Sequence, residues 1–393
     1  MLITEIENFA SKCTGCGACA HVCSNKAITM VKGSEGFLYP AIEKGKCVQC
    51  EKCAEVCHLQ SQSKIELFQQ SVYACQIKDK QMLVHATAGG FFPLLAKTVI
   101  EQGGVVYGCV WDASMHAVHK GITTIDQIQE FSGSKYVQSN TTNVFSEISN
   151  HLQNGKKVLF SGTPCQVEAV LKYCNNLDRS NLITVDVPCY GVPSQAIFSA
   201  YIEKLNKKYN AKVVDFRFRD KRHYGWSHTT FITFKRDDGT YFEVEEIDHN
   251  KIDYYKMFGN RNCYRKSCYQ CLYNTLNRVS DFTTGNYWGI ENKTQVFDAT
   301  LGVSMVIINS KKARNIFDSI KSHMILEERT VEDAVDSNEA LVKVTDYPNH
   351  RDAIYQSFAK HGFDGMFKRY YQPNLVTKMK SMARKVLKKF RGR

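Results

Sequence analysis

Cys13-Thr14-Gly15-Cys16-Gly17-Ala18-Cys19-Ala20-His21-Val22-Cys23 sets four thiols two, two and three residues apart. Cys47-Val48-Gln49-Cys50-Glu51-Lys52-Cys53-Ala54-Glu55-Val56-Cys57 repeats that register 34 residues on. Eight thiols so spaced are the pattern that holds two [4Fe-4S] clusters. Three close cysteines wrap one cubane, and the fourth crosses to the other. The rule assigns Cys13, Cys16, Cys19 and Cys57 to one cluster, and Cys47, Cys50, Cys53 and Cys23 to the other. Zinc fits worse, because structural zinc takes paired Cys-x2-Cys half-sites and three thiols at every third residue overfill one. Disulfides need an oxidising compartment, for which the sequence carries no support. The expectation is an α+β, ferredoxin-like two-cluster module over residues 1–62. Proline usually follows the fourth cysteine of such a run, but here Ser24 and His58 do. Ligation survives that change, while hydrogen bonding and solvent access near the clusters, which set potential, are altered.

The chain of 393 residues is far longer than that module needs, and 43% hydrophobic content with 22 Phe and 20 Tyr supplies a large further core. No apolar run reaches the roughly 18 residues of a membrane span. The first twelve residues contain Glu5 and Glu7 and lack a signal-peptide core, so a cytoplasmic protein is expected. The formal charge is +12, but Asn374 to Arg393 hold eight Lys or Arg and no acid, leaving +4 for the rest. A nucleic-acid partner is not expected from so nearly neutral a body. In that tail Leu375, Val376, Met379, Met382, Ala383, Val386, Leu387 and Phe390 recur at helical steps. A basic amphipathic tail over 366–393 is expected, with three readings open: contact with an anionic membrane surface, contact with an acidic redox partner, or a terminal helix docked on its own domain or frayed.

Residues 63–70 read as a polar linker, and 71–365 as one oxidoreductase domain with parts 71–185 and 186–365. Strands at Val72–Ile77, Gly104–Val110, Lys157–Phe160 and Leu182–Val187 alternate with helices at Gly89–Glu101, Val144–Leu152, Gln166–Tyr173 and Ser194–Tyr209. That alternation predicts an α/β domain with a mainly parallel sheet. Val213–Arg219, Thr229–Arg236 and Thr240–Glu246 alternate with period two around an Asp238-Gly239 turn, which predicts an antiparallel extension. Another apolar strand is expected at Val303–Asn309.

Cys165 and Cys189 each follow a predicted strand, where carboxyl ends converge on one edge of a parallel sheet. Cys268-x2-Cys271 sits in a loop-like stretch. From spacing alone two readings stay open: a third four-thiolate cluster, or buried packing cysteines. Cys75, Cys109 and Cys174 lie inside predicted elements and read as packing; Cys263 has no matching partner.

Further stretches carry a resemblance: Ala88-Gly89-Gly90-Phe91, Gly133-Ser134-Lys135-Tyr136-Val137-Gln138-Ser139, Leu159-Phe160-Ser161-Gly162-Thr163-Pro164-Cys165-Gln166, Pro188-Cys189-Tyr190-Gly191-Val192-Pro193-Ser194, Ser267-Cys268-Tyr269-Gln270-Cys271 and Asp281-Phe282-Thr283-Thr284-Gly285-Asn286-Tyr287-Trp288-Gly289. In this order, behind a two-cluster module, they resemble the coenzyme F420 hydrogenase and dehydrogenase beta subunit family in its form with a fused ferredoxin. The resemblance implies FAD with a [4Fe-4S] cluster beside it, and Cys165, Cys189, Cys268 and Cys271 match the family's ligand positions. It also places Thr87, Gly89, Gly90, Lys135, Tyr136, Ser161, Gly162, Thr163 and Gln166 near the flavin. Two departures stand out: Ala86-Thr87-Ala88 where serines are common, and Asn286 where Asp is usual.

Read as residues alone, Gly89-Gly90 opens a helix whose N–H groups suit a phosphate, although a tight turn explains it equally. Ser161-Gly162-Thr163 repeats that arrangement. Lys135 suits a phosphate and Tyr136 a ring, or a solvated surface and a core respectively. Clusters carry single electrons and hydride-type reductions need two, a gap that a flavin bridges. The expected function is an iron–sulfur flavoprotein passing electrons between its clusters, FAD and an organic substrate or deazaflavin-like coenzyme. The alternative is an electron-relay subunit that docks on a separate catalytic protein. Either would exchange electrons with a redox partner protein or ferredoxin. Individual catalytic residues, the substrate and the direction of electron flow are not specified by the sequence.

Overall fold

The two cysteine runs fold around a hairpin of β1 (Ile28–Lys32) and β2 (Leu38–Ile42), paired antiparallel from Ile28–Ile42 to Lys32–Leu38. Helices Ala18–Val22 and Lys52–Glu55 carry Cys19 and Cys53. At four or five residues neither helix would stand alone in water, so their packing must hold them. The computed structural model describes residues 2–63 and 68–372. The middle of the linker and everything from 373 onward, including the basic stripe, lie outside the described residues.

The second body is built on an eight-stranded sheet. Its strands are β3 (Ser71–Ile77), β4 (Val105–Trp111), β5 (Ala117–Ile122), β6 (Val158–Gly162), β7 (Leu182–Asp186), β11 (Phe282–Asn286), β12 (Ser304–Ile308) and β13 (Met324–Arg329), in the order β13-β3-β12-β11-β7-β6-β4-β5. The neighbours β4, β6, β7 and β11 pair in parallel. β3 runs the same way, because its two antiparallel steps through β12 reverse direction twice. Five strands therefore share one direction, and β5, β12 and β13 oppose them.

Side-chain alternation sends successive β6 residues to opposite faces. Leu159 joins Leu95, Val106, Val185, Phe282, Val306 and Phe317 under helices Phe91–Glu101 and Lys311–Ile320. Val158 and Phe160 join Phe145, Ile148, Val167 and Val170 on the other face. That second core continues without a break into Ile3, Cys19, Ile28, Cys53 and Cys57, so the two-cluster module packs on this face.

The period-two segments form a separate antiparallel sheet of β8 (Lys212–Arg217), β9 (Thr230–Lys235) and β10 (Tyr241–Glu246). Helix Arg351–Tyr370 packs with helix Gln195–Tyr209 beside it and buries Met366 and Phe367. The first five residues assigned to the tail, 366–370, form the end of this helix.

Candidate redox centres

Cys13, Cys16, Cys19 and Cys57 line one cavity, walled by Ile3, Phe9, Met30 and Pro40. This is the crosswise set that spacing assigns to the first cluster. Burial pushes Cys16 up to about 11 and Cys57 up to about 12. It also raises Cys19 strongly, with Cys16, Cys13 and Cys57 adding repulsion. Cys16, Cys19 and Cys57 resist ionising on their own, and iron bound to the thiolates would remove that penalty. The residues therefore fit a cluster. The N–H of Gly15 points at Cys13 Sγ from 3.4 Å, and that of Ala27 at Cys23 Sγ from 3.3 Å. Bonds of this kind tune the metal-bound sulfur. His58 stands on the cavity wall with its Nε2 3.1 Å from Thr14 Oγ1. In the second set Cys53 is buried, Cys23 and Cys47 are half-buried and Cys50 is exposed. The first cluster site is thus the inner one and the second the outer.

Cys165, Cys189, Cys268 and Cys271 come from three parts of the chain. β6 ends at Gly162, and helix Pro164–Tyr173 starts with Cys165 in its first turn. Cys189 follows β7, and the turn Lys266–Gln270 carries Cys268, with Cys271 just beyond. The fold brings all four together. Burial raises the Cys189 thiol well above its usual value, and Cys268, Cys165 and Cys271 raise it further. Burial lifts Cys165 to about 12, with Cys271 and Cys268 adding to the rise. Among the described residues no three His, Cys, Asp or Glu side chains converge closely enough for a single metal ion.

This set adjoins the inner cluster site. Cys165 contributes to the rise of Cys16, and the buried Tyr273 feels Cys165, Cys16 and Cys271 together.

The residues placed near a flavin lie on loops that the structure joins, but most are committed to holding those loops. Gly133 N–H donates to Thr87 Oγ1 at 3.0 Å. Thr163 and Gln166 form a capping box, with Gln166 Nε2 reaching Ser139 Oγ at 2.9 Å. A Cβ on Gly162 would come within 3.2 Å of the Gln166 side chain. Lys135 Nζ donates to the carbonyls of Glu130 and Ser132 at 3.0 and 3.1 Å. Tyr136 stacks on Phe258 at 4.2 Å. A Cβ on Gly89 would meet Cys75 O at 2.0 Å, and one on Gly90 would meet Ile77 at 2.5 Å. Gly89 therefore makes room for the protein's own backbone and Gly90 for the Ile77 side chain, as the tight-turn reading of that pair has it. His119 Nε2, on β5, lies 2.9 Å from the Ser161 carbonyl oxygen and steadies the turn after β6.

Several residues on this edge had no role in the sequence. Trp226 and Trp288 stack at 4.5 Å and 3°, and the Arg219 guanidinium covers Trp288 at 4.5 Å. Trp226 Nε1 donates to Asn286 Oδ1 at 3.1 Å, an acceptor that Asn provides as well as Asp. Lys221 is buried, with its ammonium donating to Leu83 O, Ala88 O and Leu301 O at 2.7 to 2.9 Å. Aromatic and cationic side chains scattered over seventy positions leave no spacing by which sequence alone could group them.

Residues 155–334 match the family described as coenzyme F420 hydrogenase/dehydrogenase, C terminus of the beta subunit. Residues 12–60 match a 4Fe-4S dicluster domain. No curated protein matches the chain. Among solved structures, it is similar to a chain in a xenon-derivatized F420-reducing [NiFe] hydrogenase complex from Methanosarcina barkeri. Identity is 18%, over 76% of this chain and 90% of that one, with a TM-score of 0.43.

Proposed function

We propose that this chain, which carries a 4Fe-4S dicluster domain ahead of the C-terminal region of the coenzyme F420 hydrogenase/dehydrogenase beta subunit family, is an FAD-dependent oxidoreductase with three [4Fe-4S] centres. It is an iron–sulfur protein of an oxidoreductase family. One observation carries the finer reading: Cys165, Cys189, Cys268 and Cys271 gather at the carboxyl edge of the sheet, with Cys165 beside Cys16 of the inner cluster site. Packing cysteines scatter through a core; these four come from three loops to one place.

The path follows from burial. A redox partner protein meets the outer set, where Cys50 is exposed and Val48 stands 66% exposed beside it. Cys13, Cys16, Cys19 and Cys57 hold the inner relay, shielded by the module and the sheet. Cys165, Cys189, Cys268 and Cys271 hold the last one. FAD would supply the conversion between single electrons and a hydride equivalent, which is two electrons and one proton. Thr87, Ser161, Lys135 and their loops hold that edge in shape, through the bonds to Gly133, His119 and the 130–132 carbonyls. The substrate would be an organic molecule or a deazaflavin-like coenzyme.

The test is anaerobic purification and denaturation. The protein should release FAD, and Ser161→Asp should lower its retention while leaving iron unchanged, because a carboxylate there repels the phosphates. Reconstituted wild-type protein that neither contains nor binds FAD overturns the flavoenzyme and leaves an electron relay. Gly90→Asp is the weaker variant, since its side chain would strike Ile77 whether or not flavin binds.

A further inference from the structure

We propose that Arg265 is the shared counter-cation of the inner ferredoxin cluster and the third centre, raising both potentials above that of the outer cluster and so drawing electrons inward. For one of its two partners this rests on the third-centre reading above; for the other it rests on the dicluster domain.

Arg265 is 1% exposed. Its guanidinium donates from Nε to Cys13 O at 2.6 Å, from Nη2 to Leu38 O at 2.8 Å and from Nη1 to Gln138 Oε1 at 3.1 Å. Nη2 also faces Cys13 Sγ at 3.7 Å. The ring of Tyr39 lies 4.3 Å from its Cζ and that of Phe37 5.2 Å. None of these partners is a carboxylate. Arg351, equally buried, has Glu35 as its carboxylate. Among the described residues no carboxylate pairs with Arg265. A buried cation without a counter-charge is expensive, so a charge of the opposite sign is expected nearby. The inner cluster supplies it, because four thiolates on an oxidised cubane carry about −2.

The backbone of the same residue belongs to the third centre. Its N–H donates to Val192 O at 2.9 Å, on the loop that carries Cys189, and its carbonyl accepts the Cys268 N–H at 2.9 Å. The charge reaches Cys165 and Cys268 as well as Cys13. The module has been cut back to admit it. Gly15 sits at φ +69°, and a Cβ there would come within 2.7 Å of Arg265 Nη1. The matching position of the other run, Gln49, has a left-handed φ of 54° and keeps its side chain. Only the inner run needs the space.

Reduction adds one negative charge to a cluster, and a fixed cation stabilises the product more than the reactant. Removing the cation should therefore lower the midpoint potential of the inner cluster and the third centre and spare the outer cluster. The experiment is an EPR-monitored redox titration of the full chain after iron counting, for wild type, Arg265→Gln, Arg265→Met and Arg265→Lys. Both neutral variants should shift two midpoints downward, and Arg265→Lys should hold them near wild type. A neutral variant that loads full iron with unchanged potentials overturns the proposal. Should neither neutral variant load iron while Arg265→Lys does, charge is what the site requires and the proposal stands. Failure of Arg265→Lys to load iron overturns it in favour of guanidinium shape. Iron counting separates the two claims: wild-type iron for two clusters only would remove the third centre, and the inner-cluster shift would still judge Arg265.

Discussion

At the scale of single residues, the two cysteine runs differ in what surrounds equal backbones. Gly15 and Gln49 are left-handed at φ 69° and 54°, and Gly17 and Glu51 at 83° and 63°. Side chains at such φ cost about 1–2 kcal/mol each, a cost the exposed run tolerates. The inner run cannot: a Cβ on Gly17 would lie 2.5 Å from Thr142 Cγ2. Gly17→Ala should destabilise the protein by about 1–2 kcal/mol and speed iron loss to a chelator, while Gln49→Gly should change stability by under about 1 kcal/mol. Equal iron retention in the two variants would contradict this. The eight cysteines of the two runs were legible as a pattern because their spacing repeats within the chain, and the 4Fe-4S dicluster match covers them; Cys165, Cys189, Cys268 and Cys271 were grouped by family resemblance, not by spacing. Arg265 and Tyr273 were not legible, because a residue that meets cysteines from distant parts of the chain through space leaves no interval to read.

At the scale of elements, β6 and β7 were readable as short apolar runs, and helix 195–209 by its Ser194 cap, whose side chain accepts the Ile197 N–H. β5 and β13 were missed. Ala117-Val118-His119-Lys120-Gly121-Ile122 and Met324-Ile325-Leu326-Glu327-Glu328-Arg329 are edge strands, polar enough to read as connections until β4 and β3 pair with them. β5 bears on the site through His119. Its ring stacks on Phe160 at 5.2 Å, and burial pushes it down to about 4. A histidine whose folded pKa lies below its unfolded value of about 6.5 favours folding in full above 6.5. That contribution falls by about 1.4 kcal/mol per pH unit as pH drops from there towards 4. His119→Phe keeps the stack and removes the titration. Its unfolding midpoint should fall less than that of wild type between pH 7 and pH 5; parallel falls would exclude His119 as a source of acid sensitivity.

At the scale of the molecule, the arrangement depends on the module staying seated. Thr141 Oγ1 donates to Cys16 O at 2.8 Å and Gln138 Nε2 to Thr14 O at 2.7 Å. Arg351, fully buried, makes a bidentate pair with Glu35 beside the β1–β2 turn. Removing one partner of a buried pair costs about 3–5 kcal/mol. With Glu35 itself 18% exposed, Arg351→Met should cost about 2–3 kcal/mol and open the module to limited proteolysis. An unchanged digestion pattern would mean the pair does not seat it. The family region was legible in the sequence; the nearness of Cys165 to Cys16, felt as a charge effect on the Cys16 thiol, was not, because it joins positions about 150 residues apart. The third centre rests on that nearness, and iron and sulfide counting on anaerobic protein tests it most directly. By four irons per cluster, wild type should hold about twelve irons per chain, and Cys268→Ser with Cys271→Ser about eight, with the ferredoxin signals kept. About eight irons in both proteins would contradict the account.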